Sequence, residues 1–125
     1  DLVSEEIRWV NAGHQPALVR SSDGNYSEFA SSSTPLGVIK HKDKNVYKLE
    51  KTNLSSSRFY IFTDGLSESL DKNGEEIGID GSIKIIENNF NSDLKKQLKD
   101  VTDDVIKVAV DKNLSDDLTL VGLGN

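Results

Sequence analysis

Polar and apolar residues follow two different rhythms along this chain. In the first half they change over short runs broken by turn residues, which is a strand-and-turn pattern. Strands are expected at residues 7–11, 17–20 and 26–29, with Asp23-Gly24 as the hairpin turn joining the last two. Residues 30–34 form a small-residue loop closed by Pro35-Leu36-Gly37. Residues 40–45 are a charged, exposed turn that includes His41. A strand with one wet face is expected at 46–51, followed by a polar turn at 53–57. Arg58-Phe59-Tyr60-Ile61-Phe62 then reads as a buried strand that runs into Thr63-Asp64-Gly65.

Beyond Asp64 the spacing turns helical. Residues 66–70 suit a helical turn and 71–74 a loop. Asp80 is the expected cap of a helix over 81–89, with Ile83, Ile86 and Phe90 on one side. Ser92 or Asp93 caps the next helix, where Leu94, Leu98, Val101, Val105, Val108 and Ala109 recur at four-and-three spacing. The short connection predicts that these two helices pack antiparallel. Residues 118–123 form a closing strand. Strands, then helices, then one more strand indicate an α+β layered domain.

Composition narrows the class without naming a function. The 125 residues carry a net charge of −6, which disfavours nucleic acid or an anionic membrane as partner. Cysteine is absent, so neither disulfides nor thiolate metal sites arise. No apolar run approaches the ~20 residues of a membrane span, and no signal peptide is evident. A cytoplasmic location is expected. The chain begins at Asp1 and contains no methionine, which reads as a piece of a longer polypeptide.

Chemistry concentrates at two acidic strand ends, Asp64 after one strand and Asp116-Asp117 before another. If the strands are antiparallel neighbours, Asp64 and Asp116 come within a few ångström. Carboxylates that close repel unless a proton or a cation lies between them. An oxygen-only donor set favours Mg²⁺ or Mn²⁺, and with such an ion the chemistry is hydrolysis of a phosphate ester. Solvated turns with N-cap duties explain the same residues equally well. Gly65 is expected to let the backbone turn at the strand end. Glu68 lies one turn beyond Asp64, where its simpler role is to start a short helix. His14, in a Gly-Pro turn, reads first as a structural hydrogen-bonder. Ser67 and Ser69 have no His–Asp partnership, and the glycines form neither a phosphate loop nor a dinucleotide fingerprint.

Four motifs occur in a fixed order: Asn11-Ala12-Gly13-His14-Gln15-Pro16, Pro35-Leu36-Gly37-Val38, Phe62-Thr63-Asp64-Gly65-Leu66-Ser67-Glu68 and Asp116-Asp117-Leu118-Thr119-Leu120-Val121. Together, over nearly the whole chain, they resemble the C-terminal half of a SpoIIE-type phosphatase domain of the metal-dependent PPM family. The resemblance implies an α-β-β-α sandwich of antiparallel sheets. It implies hydrolysis of phosphoserine or phosphothreonine by a water bridging two Mn²⁺ or Mg²⁺ ions. The metal aspartates map onto Asp64 and Asp116. Asp117 is a neighbour, Gly65 matches the glycine of close backbone approach beside the ligand, and His14 matches a position near an additional metal in related branches. A bacterial signalling role is implied as well, with a phosphorylated anti-sigma-factor antagonist as the kind of substrate.

The family's remaining ligands come from upstream Gly-Asp and Asp-Gly motifs, and residues 1–6 supply neither. The chain is therefore expected to be the C-terminal part of one domain, inactive as an isolated fragment. Its exposed sheet edges call for the rest of the domain, a separate chain, or a second copy in a homodimer. The alternative function is a catalytically inactive adaptor that binds a partner protein.

Overall fold

A computed structural model of the chain describes residues 1, 3–40, 47–108 and 117–124. His41 and most of the charged turn, together with Asp116, lie outside the described residues. The chain divides into two units, Asp1–Ile61 with Leu123–Asn125, and Phe62–Gly122.

The first unit is built from strands. β1 (Glu6–Trp9) pairs antiparallel with β4 (Glu50–Asn53), Trp9 facing Glu50. β2 (Ala17–Ser21) pairs antiparallel with β3 (Tyr26–Phe29) on one side and β5 (Ser57–Phe62) on the other. The closing strand is β6 (Leu120–Leu123), of which Leu120–Gly122 belong to the second unit. The expected Asp23-Gly24 hairpin is present: Gly24 takes a φ of +87°, and its N–H donates to the Ser21 carbonyl.

β2 and β5 are buried on both faces. Leu18 and Tyr60 face each other in the ladder and are wholly inaccessible. Ala17, Val19 and Phe59 form a core cluster on which Ile7, Trp9, Phe29 and Leu54 pack. The Trp9 ring meets Phe29 edge-on at 5.1 Å and Phe59 at 4.7 Å, favourable geometry for aromatic pairs.

β4 departs from the sequence expectation. It covers polar Glu50–Asn53 rather than residues 46–51, and Leu49 precedes it, 60% exposed. Pairing with β1 decides where the strand lies and overrides local propensity, while Lys48 and Glu50 form an ion pair at 2.5 Å.

The second unit carries α1 (Asp64–Ser67), α2 (Gly78–Asn88) and α3 (Leu94–Val108). Leu66, Ile86, Val101 and Val105 are its buried apolar residues, with Phe62. Asp93 caps α3 as expected, accepting the Lys96 N–H at 3.2 Å. Asp80 does not cap α2. The helix starts three residues earlier, Ile77 is its N-cap without a side-chain bond, and Asp80 lies in the first turn, where its charge suits the helix dipole. Phe90 falls past the end of α2 and is exposed, so it leaves the face it was expected to share with Ile86.

α2 and α3 are joined by two side-chain hydrogen bonds. Gln97 Nε2 donates to the Ile86 carbonyl at 3.1 Å, and Asn89 Nδ2 donates to Asp104 Oδ2 at 2.8 Å. β6 meets α3 through Gly122, where an added Cβ would lie 3.0 Å from Leu94 Cδ1 and 3.2 Å from Leu98 Cδ2. Among the described residues, no helix is long and apolar enough to cross a membrane.

Candidate functional site

β5 delivers its last residues to a sharp change of backbone. Phe62 ends the strand, Thr63 stays extended at φ −77° and ψ 164°, and Asp64 opens α1. The Thr63 carbonyl accepts the Leu66 N–H at 3.1 Å, and the Asp64 carbonyl accepts the Glu68 N–H at 2.8 Å. Asp64 is half-buried. Among the described residues, no side chain donates to its carboxylate.

The start of β6 is fastened to this strand end by Thr63. The Thr63 N–H donates to the Thr119 carbonyl at 3.0 Å. Its hydroxyl donates to the Asp117 carbonyl at 2.9 Å and accepts the Thr119 N–H at 2.9 Å. These bonds bring the segment at Thr63 to the entry of β6. The Asp117 carbonyl is part of this contact, while Asp116 itself is outside the described residues.

The other expected site residues divide. Gly65 is buried inside α1, and its φ is not among the positive ones. Glu68 is the exposed C-cap of α1. Ser69 donates its hydroxyl to the Gly65 carbonyl at 2.6 Å and Ser67 to the Asp64 carbonyl at 3.4 Å, so both serve the helix backbone.

His14 belongs to the first unit and is exposed; its N–H donates to Asn11 Oδ1 at 3.0 Å, and Nδ1 lies 3.2 Å from the Gln15 carbonyl. The Asn11 amide in turn donates to the Gln15 and Phe29 carbonyls. That is the structural hydrogen-bonding the turn suggested. Two of the motifs meet here, because Gly13 packs against the Pro35 ring and Ala12 bridges to Ser33.

The carboxylate of Asp71 is committed elsewhere in the second unit. It accepts the Glu75 and Asn73 N–H groups and the Asn73 amide, and these bonds, the Glu75 one foremost, hold its pKa below the usual carboxylate value. A metal must be judged against the groups left. Among the described residues, no three His, Asp or Glu side chains gather into a metal site. The Asp64 carboxylate, held at a rigid strand end without a protein donor, fits one side of a hard-ion site. The sequence drew attention to Asp64 and passed over Thr63, whose partners lie more than fifty residues away in the chain.

Comparison with solved structures finds the same fold. The SiaA-PP2C domain of Pseudomonas aeruginosa superposes with a TM-score of 0.76 at 14% identity, over 98% of this chain and 47% of that one. The RsbU and RsbW domains of Rv1364c from Mycobacterium tuberculosis give a TM-score of 0.73 at 18% identity, over 99% of this chain and 33% of that one. The chain therefore spans about half of the first and a third of the second. No curated protein sequence matches it. The family model described as Stage II sporulation protein E (SpoIIE) matches residues 1–124, and the chain belongs to the SpoIIE family.

Proposed function

We propose that this chain is the C-terminal part of a phosphatase domain that, when complete, hydrolyses phosphoserine or phosphothreonine on a bacterial signalling protein. The observation that carries this reading is the Thr63 contact, which keeps the strand end bearing Asp64 against the entry to β6. Asp64 and Asp116 are the metal ligands in this reading. Asp117 and Glu68 flank them, and Gly65 allows close backbone approach. Two Mn²⁺ or Mg²⁺ ions, when bound, supply an activated water and neutralise charge on the phosphoryl group. The chain's own task is to hold two carboxylates at fixed strand ends, so that no reorganisation accompanies the reaction. Family membership supports the reaction class. The relative carrying RsbU and RsbW domains supports a sigma-regulation setting, with a phosphorylated antagonist protein as substrate in the cytoplasm.

The reading is tested by assaying the complete protein on a phosphoseryl peptide with Mn²⁺, beside Asp64→Asn. Loss of turnover in the variant is expected, and equal turnover would refute the assignment. The 125-residue chain alone is expected to be inactive, because two carboxylates cannot fix two ions.

A second reading draws on the upstream ligand motifs that residues 1–6 do not supply. On that reading the domain is an inactive adaptor that binds a partner protein, and the complete protein binds no Mn²⁺ at all.

A further inference from the structure

We propose that Thr63 is a positioning residue of this site, a role that rests on the metal reading of Asp64. A threonine at a helix N-cap ordinarily turns its hydroxyl onto the N–H groups of its own helix. Thr63 is the N-cap of α1 and makes no such bond. Its hydroxyl crosses instead to the neighbouring strand, donating to the Asp117 carbonyl and accepting the Thr119 N–H.

The exchange has a geometric consequence. In an antiparallel ladder, a residue that donates to its partner's carbonyl also accepts the partner's N–H on its own carbonyl. Thr63 fulfils the first half with its backbone, donating to the Thr119 carbonyl. The second half is taken over by the hydroxyl. The Thr63 carbonyl is thereby released to accept the Leu66 N–H and close α1. The chain can then leave the strand at Asp64 while the entry to β6 stays in register. Without the hydroxyl, the Thr119 N–H loses the acceptor it has in this structure, because the Thr63 carbonyl is engaged by the Leu66 N–H. The Asp64 carboxylate and the segment beginning at Asp117 then lose their fixed relation. Positioning groups behind metal ligands commonly change metal affinity by ~10–100-fold when removed.

The test uses the full-length protein and its Thr63→Val, Thr63→Ser and Asp64→Asn variants. Mn²⁺ affinity is measured by calorimetry, the Thr119 amide by hydrogen exchange, and folding by thermal melting. Thr63→Val is expected to weaken Mn²⁺ binding ~10–100-fold and to speed exchange at Thr119, and Thr63→Ser to restore both. A Thr63→Val protein that binds Mn²⁺ as wild type does, whatever its melting temperature, overturns the positioning role if Asp64→Asn has lost binding. Wild-type Mn²⁺ binding by Asp64→Asn overturns the metal reading itself. Should valine prevent folding, Thr63→Ala carries the same comparison.

Discussion

Asn89 and Asp104 tie the end of α2 to the middle of α3 through an amide-to-carboxylate hydrogen bond of 2.8 Å. The Asn89 amide first, and then Lys107 at 3.0 Å, lower the pKa of Asp104. A carboxylate whose folded pKa is depressed contributes stability above its unfolded pKa, and that stability is lost as the pH falls through the folded value. The group is partly solvated, so its worth is that of one ordinary hydrogen bond. Asp104→Ala should cost about 1 kcal/mol at pH 7. Thermal melts should show the gap between wild type and variant closing once the pH falls below the ordinary value of 3.8.

Gly13 holds the first two sequence motifs together. Its φ is +87°, and a Cβ there would sit 2.3 Å from Pro35 Cγ, a stiff ring that cannot turn aside. Gly13→Ala combines left-handed strain with overpacking, and should destabilise the protein by about 2–4 kcal/mol. Denaturant titration measures this directly. A midpoint equal to that of wild type would show that the contact between Gly13 and Pro35 is absent.

Leu66 follows the candidate ligand by two residues and is wholly buried. Truncating it opens a cavity, and Leu66→Ala should cost about 2–5 kcal/mol. This variant separates stability from chemistry. At a temperature where it stays folded, its Mn²⁺ affinity should remain near that of wild type, because Asp64 and the Thr63 bonds do not depend on that side chain.

The strands were legible where short runs sat between turn residues, and β3 falls on residues 26–29 as expected. β4 was misplaced because its position comes from pairing with β1, a non-local fact. The apolar face of α3 was legible in Val101 and Val105. Gln97 was not, because a buried polar side chain breaks the hydrophobic period, and its bond to the Ile86 carbonyl is a long-range fact. At the site, the Phe-Thr-Asp-Gly order revealed a strand ending in a carboxylate. The job of Thr63 was hidden, since nothing local in a sequence says which way a hydroxyl will point.

In the proposed reading, Asp64 ligates a catalytic metal in the complete domain. Its most direct test is a Mn²⁺ titration of the full-length protein, reading bound metal and phosphoseryl-peptide hydrolysis together, for wild type and Asp64→Asn. Losing a first ligand should exceed the effect of losing a supporting group, so affinity should fall by more than about 100-fold, with hydrolysis falling in parallel. Coincident titrations for the two proteins would show that Asp64 is not a metal ligand.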